Sequence, residues 1–371
     1  MRKLVSSIAM LAVVLGAATS ALAWSPKLAV NDDVWAQVGF LGQFQFETAE
    51  DLAGDSDEWS KDFFIRRARL MVQGSVHKNV KFFFSTDAPN AGKKVRGSAL
   101  DSDFILNDAF VDLQFMPELN IAFGRILSPF SPEYRASAAL LLGIDYNLNA
   151  NKLFSPSDGL AFWRDEGIEV RGLLFEGLID YRVGLFRGDR TDINRDDDLR
   201  TTGMVMVNLR DAQPGFFYNM NSLGTLKVLS FGGGYDYVGN SDAKDGKAWN
   251  VFGMLEQPLG PGHLVASAAY YDWDGPNYAG AFEGNTISAQ AGYLLPCPFL
   301  EGAKIQPVLR YQHQDRENGT EYKLDTFNIG LNYFLKGHNI NFKIDYAIND
   351  RINTTTGEKF DAFRFQTQLL F

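Results

Sequence analysis

The last thirteen residues of the chain, 359–371, read KFDAFRFQTQLLF. The odd-numbered positions of this stretch are mainly apolar and include Phe363, Phe365, Leu369 and Phe371. The even-numbered positions carry polar side chains at Arg364, Gln366 and Gln368. Because successive residues of a strand point to opposite sheet faces, the segment predicts a strand with one apolar and one polar face. Such a strand suits the wall of a membrane β-barrel between lipid and water. The carboxyl end therefore indicates a bacterial outer membrane.

Residues 1–23 have the features of a secretory signal peptide. Arg2 and Lys3 precede an uncharged run over residues 4–18, and Ala21-Leu22-Ala23 matches a small-residue cleavage site. A transmembrane anchor is the alternative, but it needs about 20 apolar residues, and the chain turns polar by Ser25. We therefore expect a cleaved signal peptide over residues 1–23 and a single barrel domain over residues 24–371.

Composition excludes several classes of protein. The chain has 35 Lys and Arg against 45 Asp and Glu, for a net charge of −10. Nucleic acid is thereby excluded as a partner, because such binding needs a basic face. A single cysteine, Cys297, rules out an intrachain disulfide framework and a multi-cysteine metal site. We expect neither a cofactor nor a metal centre.

Alternating segments recur along the whole mature chain. In one of them Val80, Phe82 and Phe84 share the apolar face, while Lys81, Ser85 and Asp87 share the other. About 16 such segments are present, an even number as single-chain bacterial barrels have. After the leader no uncharged apolar run approaches the length of a membrane-spanning helix. The predicted fold is an all-β transmembrane antiparallel β-barrel of about 16 strands.

The connections between these segments indicate which end of the barrel faces outward. Short connections are expected on the periplasmic side of an outer-membrane barrel and long ones outside. Five short ones contain Pro, Gly or Asn and lie at residues 77–79, 116–118, 175–177, 258–260 and 336–338. Short and long connections are expected to alternate strictly. A soluble β-sandwich is the alternative, and this alternation, the leader and the terminal Phe371 argue against it.

The third outer connection, residues 131–158, is long and has an apolar middle. Its apolar residues are Ala136, Ala138, Ala139, Leu140, Leu141, Leu142 and Ile144. Long loops without a function are uncommon, and an apolar loop exposed to water would be costly. We expect this third outer loop to fold inward and narrow the pore. A role in subunit contacts is the alternative.

Strand parity also places basic side chains on the inner face of the barrel. These are Arg67, Arg69, Lys81, Arg125, Arg171, Arg182, Arg310, Lys343 and Arg364. Rings of charge in a pore set ion preference, and the guanidinium fork suits phosphate and carboxylate. The alternative is that each arginine pairs with an acid inside the barrel and only keeps the inner wall hydrated, without selecting ions.

Four stretches resemble motifs of the phosphate-selective porin O and P family of Gram-negative bacteria. They are FFIRRARL at 63–70, GRILSPFSPE at 124–133, RDEG at 164–167 and GLNYFLKGH at 330–338. The resemblance implies a trimeric, 16-stranded barrel whose third outer loop folds into the lumen and whose arginines line the path of an anion. Arg67, Arg69, Arg125 and Arg164 match motif arginines, and Arg135 stands at the start of the inward loop.

The predicted function is an outer-membrane porin for passive diffusion of small hydrophilic solutes, with an anion or phosphate preference. The candidate selectivity residues are Arg67, Arg69, Arg125, Arg135, Arg164, Arg171 and Arg182. Expected partners are the lipid bilayer, lipopolysaccharide, the solutes and two further copies of the chain in a homotrimer.

Two other functions stay open at this point. The outer loops are not broadly lysine-rich and two of them are acidic, which favours a general or cation-preferring pore. A sleeve for another envelope component is a further alternative. A barrel enzyme is not expected, because no Ser, His and acid spacing surrounds the four histidines.

Overall fold

The computed structural model describes residues 25–50, 59–95, 98–99, 103–146, 163–188, 199–239, 245–274, 283–317 and 321–371. The expected signal peptide and parts of the outer loops lie outside these residues. Sixteen long strands form one antiparallel sheet. The first eight are β1 (Trp35–Glu50), β2 (Trp59–His77), β3 (Val80–Asp87), β4 (Ile105–Met116), β5 (Leu119–Leu127), β6 (Arg164–Leu174), β7 (Ile179–Phe186) and β8 (Arg200–Asn208). The others are β9 (Val228–Val238), β10 (Gly246–Leu259), β11 (Gly262–Asp274), β12 (Gly284–Pro296), β13 (Lys304–Arg316), β14 (Tyr322–Lys336), β15 (Ile340–Ile352) and β16 (Lys359–Leu370).

The sheet closes on itself because β16 pairs with β1. Phe365 lies opposite Phe46, and Gln366 lies opposite Gln45. Beyond the strand, the Phe371 backbone exchanges hydrogen bonds of 2.6 and 3.1 Å with Phe40. The carboxyl-terminal segment is therefore the closing strand, and the prediction of an all-β barrel of 16 strands is confirmed. Three two-residue strands, Leu28–Ala29, Lys94–Val95 and Ser98–Ala99, lie outside the sixteen.

Side chains alternate between the two faces of the wall as the sequence predicts. On β10, Asn250 and Phe252 are 2% and 8% exposed, whereas Val251 between them is 51% exposed. Large apolar side chains stay exposed on the outer face, as on a wall that contacts lipid; examples are Phe123, Val183, Val205, Phe231, Leu309 and Ile329. Among the residues that the structure describes, no helix is long and apolar enough to cross a membrane.

The third outer loop runs from residue 128 to residue 163, and its described part, residues 128–146, lies inside the barrel. Nearly every residue of that part is buried, among them Tyr134 and Leu142 at 0% and 1% exposure. The predicted inward fold of this loop is confirmed, with bounds a few residues wider than the sequence indicated.

One connection at the opposite end breaks the expected alternation of lengths. Residues 209–227 join β8 to β9, whereas β2 and β3 are joined by residues 78–79 and β10 and β11 by residues 260–261. The long connection, here called the lumenal turn, enters the barrel, and Tyr218 within it is 0% exposed. The prediction that short and long connections alternate strictly is therefore wrong here. A run of apolar side chains, Phe216 to Tyr218, turns inward because it finds partners inside the barrel.

Candidate pore constriction

The middle of the third outer loop has no regular secondary structure, so its buried carbonyl groups need partners from elsewhere. Side chains of the barrel wall supply three of them. The side-chain amides of Gln43 and Gln368 donate to the carbonyl groups of Ala138 and Ala139, each at 3.1 Å. The Asn332 side-chain amide donates to the Leu142 carbonyl at 2.8 Å. The polar side chains that point into the barrel therefore anchor the loop, in addition to lining the lumen with groups that bind water.

Two basic wall residues anchor the same loop. Lys343 Nζ donates to the carbonyl groups of Leu141 and Gly143, each at 2.7 Å. Arg310 donates to the Tyr146 carbonyl at 2.8 Å. A Cβ atom at Gly143 would lie 2.7 Å from an Arg310 guanidinium nitrogen, so a larger residue there would force the Arg310 side chain to shift. Both side chains thus hold the loop in position.

Asp145 of the loop forms an ion pair with two neighbouring arginines. Arg66 Nε lies 2.5 Å from Asp145 Oδ2, and Arg67 Nη2 lies 2.7 Å from Asp145 Oδ1. Strict alternation would point Arg66 outward, but the register with β1 skips one residue between Arg67 and Ile65. This bulge brings both arginines to the loop. Burial alone would raise the pKa of Asp145, but the two guanidinium groups bring it below its usual value.

Four of the predicted selectivity arginines form ion pairs with acids of the wall between β2 and β7. The pairs are Arg69 with Asp87 at 2.6 Å, Arg164 with Asp108 at 2.8 Å, Arg171 with Asp112 at 2.7 Å and Arg182 with Asp180 at 3.1 Å. Arg135, in the loop, pairs with Glu169, and both are fully buried. The wall therefore carries guanidinium and carboxylate groups side by side.

Arg125 differs from the other six candidates in its partner, which is partly exposed. It lies opposite Ala109 on β4 and Glu166 on β6, and it pairs with Glu166 at 2.5 Å. Its position shares parity with Phe123, which is 64% exposed, yet the Arg125 side chain is only 9% exposed. Arg164 lies opposite Leu127 at the same parity and still pairs with the inward Asp108. The placement of Arg125 on the inner face therefore stays a prediction.

The lumenal turn joins the third outer loop through the backbone. The Ser137 amide donates to the Tyr218 carbonyl at 3.0 Å, and the Tyr218 amide donates to the Arg135 carbonyl at 2.9 Å. The Arg135 guanidinium also donates to the Phe216 carbonyl at 2.9 Å. The two inward segments therefore form one unit in the middle of the pore.

On one side of the lumen, the lumenal turn is bound to β7. Arg182 donates to the carbonyl groups of Phe216 and Gly215 at 2.9 and 3.0 Å. The Tyr218 hydroxyl donates to Asp180 at 2.5 Å. Arg182 and Asp180 thus position the turn, a role that their inward parity alone did not reveal.

On the other side, the turn is bound to β10, β13 and the connection before β15. Ser222 Oγ donates to Glu256 at 2.6 Å, and Asn221 donates to Gln306 at 2.9 Å. His338 Nε2 lies 2.7 Å from the Asn221 carbonyl. Burial lowers the pKa of His338 to about 4, so the neutral ring donates this hydrogen bond at pH 7. The lumenal turn therefore crosses the lumen from wall to wall.

Two of the cavities in the described part of the chain lie between these segments and the wall of β1 to β7. One, of about 70 Å³, lies beside the third outer loop and is lined by Leu41, Arg69, Phe83, Asp108, Arg164 and Phe217, among others. The second, of about 370 Å³, lies toward the short connections and is lined by Asn120, Arg171, Asp180, Arg182 and Pro214, among others. The first could hold several water molecules, so the geometry suits a narrow wet passage along this wall.

Comparison with known proteins agrees with this geometry. An uncharacterised protein of Aquifex aeolicus is 25% identical over 347 residues, which cover 84% of this chain and 80% of that protein. An anion-selective porin from Comamonas acidovorans has the same fold, with a TM-score of 0.57, 13% identity and coverage of 91% of this chain and 99% of that one. OmpF of Salmonella typhi, solved with daunomycin, gives a TM-score of 0.60 at 12% identity and covers 93% of this chain and 100% of that one.

A family model covers the part of the chain that builds the wall of the passage. It matches residues 41–213 and describes the phosphate-selective porin O and P family. Three of the four motif stretches noted in the sequence fall within this range. The match over residues 41–213 confirms the resemblance to the phosphate-selective porin O and P family, and together with the porin fold it indicates an outer-membrane channel.

Proposed function

We propose that the channel passes small hydrophilic solutes by diffusion and has a mild anion preference. The observation that carries this proposal is the unequal charge around the third outer loop. Arg66 and Arg67 share the single carboxylate of Asp145, while Arg310 and Lys343 donate to backbone carbonyl groups. Four arginines of the wall between β2 and β7 each pair with an acid, and Arg364 on β16 contacts both Glu47 and Asp350, so the excess of positive charge is local to the third outer loop and small.

Strong phosphate selectivity is not supported by this arrangement. A guanidinium that is already bound to a carboxylate has fewer free donors for a phosphate. Four pairs of the wall are of this kind. A sleeve around another polypeptide is not supported either, because the third outer loop and the lumenal turn occupy the lumen.

Reversal potentials in a potassium chloride gradient test the ion preference. We expect the native channel to favour chloride modestly. The change Arg69→Gln should move the reversal potential toward cations, because Asp87 then loses its counter-ion. Lys323→Gln also removes a positive charge from an ion pair, with Asp315, but the Lys323 side chain is 71% exposed; it is the control, for which we expect no shift. Native channels that favour potassium, or equal shifts in the two variants, would count against the proposal.

We also infer that residues 1–23 are removed on export and that the remaining single-domain chain assembles as a homotrimer in contact with lipid and lipopolysaccharide. The trimer is what the resemblance to the porin family implies, and the leader composition supports the cleavage. Native mass spectrometry of protein extracted from the outer membrane measures both. We expect three copies of a chain that begins at residue 24; a monomer or an uncleaved chain would contradict the respective inference.

A further inference from the structure

Four phenylalanine rings meet across the passage. Phe83 and Phe110 lie on β3 and β4 of the wall, and Phe216 and Phe217 lie on the lumenal turn. The ring centroids of Phe110 and Phe216 are 4.1 Å apart and stacked, and those of Phe83 and Phe217 are 5.3 Å apart, edge to face. These separations are in the range of direct aromatic contact. The lumenal turn therefore also touches the wall at β3 and β4 through these rings.

The ring contact lies between the two cavities. Phe83 and Phe217 line the cavity beside the third outer loop. The cavity toward the short connections is lined by Pro214 of the same turn and by Arg171, whose guanidinium lies 5.2 Å from the Phe216 ring centroid. The packed rings therefore separate the two cavities along this wall.

The rings on the lumenal turn are held in place by charged groups. Arg135 and Arg182 both donate to the Phe216 carbonyl, at 2.9 Å each. The Arg135 guanidinium also stacks on the Phe216 ring at 4.0 Å. The backbone that carries the rings is therefore fixed from two sides.

We propose that Phe83, Phe110, Phe216 and Phe217 form an aromatic constriction that determines which solutes pass, a proposal that rests on the proposed channel function. An apolar constriction holds back hydrated inorganic ions, because water leaves it readily. A solute with a flat apolar body can instead pack against the rings. Arg164 and Arg171, on either side, are already paired with Asp108 and Asp112, so the aromatic faces rather than guanidinium donors set the preference. The solute class that this geometry favours is the small planar organic solute.

Single-channel recording with potassium chloride and potassium benzoate tests the constriction. For the native channel we expect a low chloride conductance and a benzoate-to-chloride permeability ratio above that expected from the mobilities of the free ions. Phe216→Ala with Phe217→Ala should raise the chloride conductance about two-fold or more, because the apolar barrier is removed. The same variant should lower the permeability ratio. Phe123→Ala, on the lipid-facing side, is the matched control and should change neither quantity.

A second double variant tests the constriction in case the first double variant does not fold. Phe83→Ala with Phe110→Ala opens the constriction from the wall side and leaves the lumenal turn intact, so the same changes are expected from it. Native conductance that neither double variant alters would overturn the aromatic constriction and leave the porin function standing. If the native protein forms no channels at all, both the porin function and this constriction are overturned.

Discussion

Removal of the lumenal turn should raise the single-channel conductance about three-fold or more, because this segment crosses the lumen and a wider aqueous pore conducts more. Leu209 directly follows β8 and lies opposite Leu229 of β9. The Leu209 amide donates to the Leu229 carbonyl at 2.8 Å. Replacing residues 210–228 by Asn-Gly would therefore close the hairpin with a two-residue turn. Planar-bilayer recording in potassium chloride measures the result.

The connection between β12 and β13 provides the matched control for this deletion. It spans residues 297–303 and joins strands that pair through Pro296 and Lys304. Replacing it by Asn-Gly shortens a connection at the same end of the barrel without opening the lumen, so we expect unchanged conductance. An unchanged conductance after deletion of the lumenal turn, in a barrel that still folds, would show that the turn does not limit the pore.

The change Asp145→Asn should release the third outer loop and increase the anion preference. Removing one partner of a buried ion pair costs about 3–5 kcal/mol, and here two arginines, Arg66 and Arg67, lose their shared carboxylate. We expect noisier open-channel currents, since the loop loses an anchor. The reversal potential should move further toward chloride, since the lumen gains net positive charge.

Glu166→Gln is the control for that change. It removes a carboxylate from an ion pair too, but the Glu166 side chain, which pairs with Arg125, is 45% exposed. We expect neither current noise nor a shift of the reversal potential from it. Quiet currents and an unshifted potential in the Asp145→Asn channel would mean that the ion pair does not hold the loop.

Much of the barrel could be predicted from the sequence because alternation is a local property of a strand. The parity of Lys81, Ser85 and Asp87 follows from three neighbouring positions, and the register of β3 with β2 and β4 confirms it. The closing strand could be recognised in the same way. Such patterns involve only residues that are close in the chain, so composition and the two-residue period were enough to predict the strands of the barrel.

The details of the constriction depend on contacts between residues far apart in the chain. Arg66 reaches Asp145 only because of a bulge that period-two alternation does not reveal. The lumenal turn is held by Glu256, Gln306 and His338, and nothing local to residues 209–227 identifies these partners. Its apolar Phe216-Phe217-Tyr218 run was the available signal, since an exposed turn would not carry three aromatic residues in a row.

The central claim is that a closed β-barrel in the outer membrane encloses a water-filled passage. The most direct test is single-channel recording of the purified, detergent-folded native protein in a planar lipid bilayer. We expect discrete stepwise increases in current as individual channels insert. Protein that is folded and inserted in the bilayer yet gives no current steps would contradict the claim.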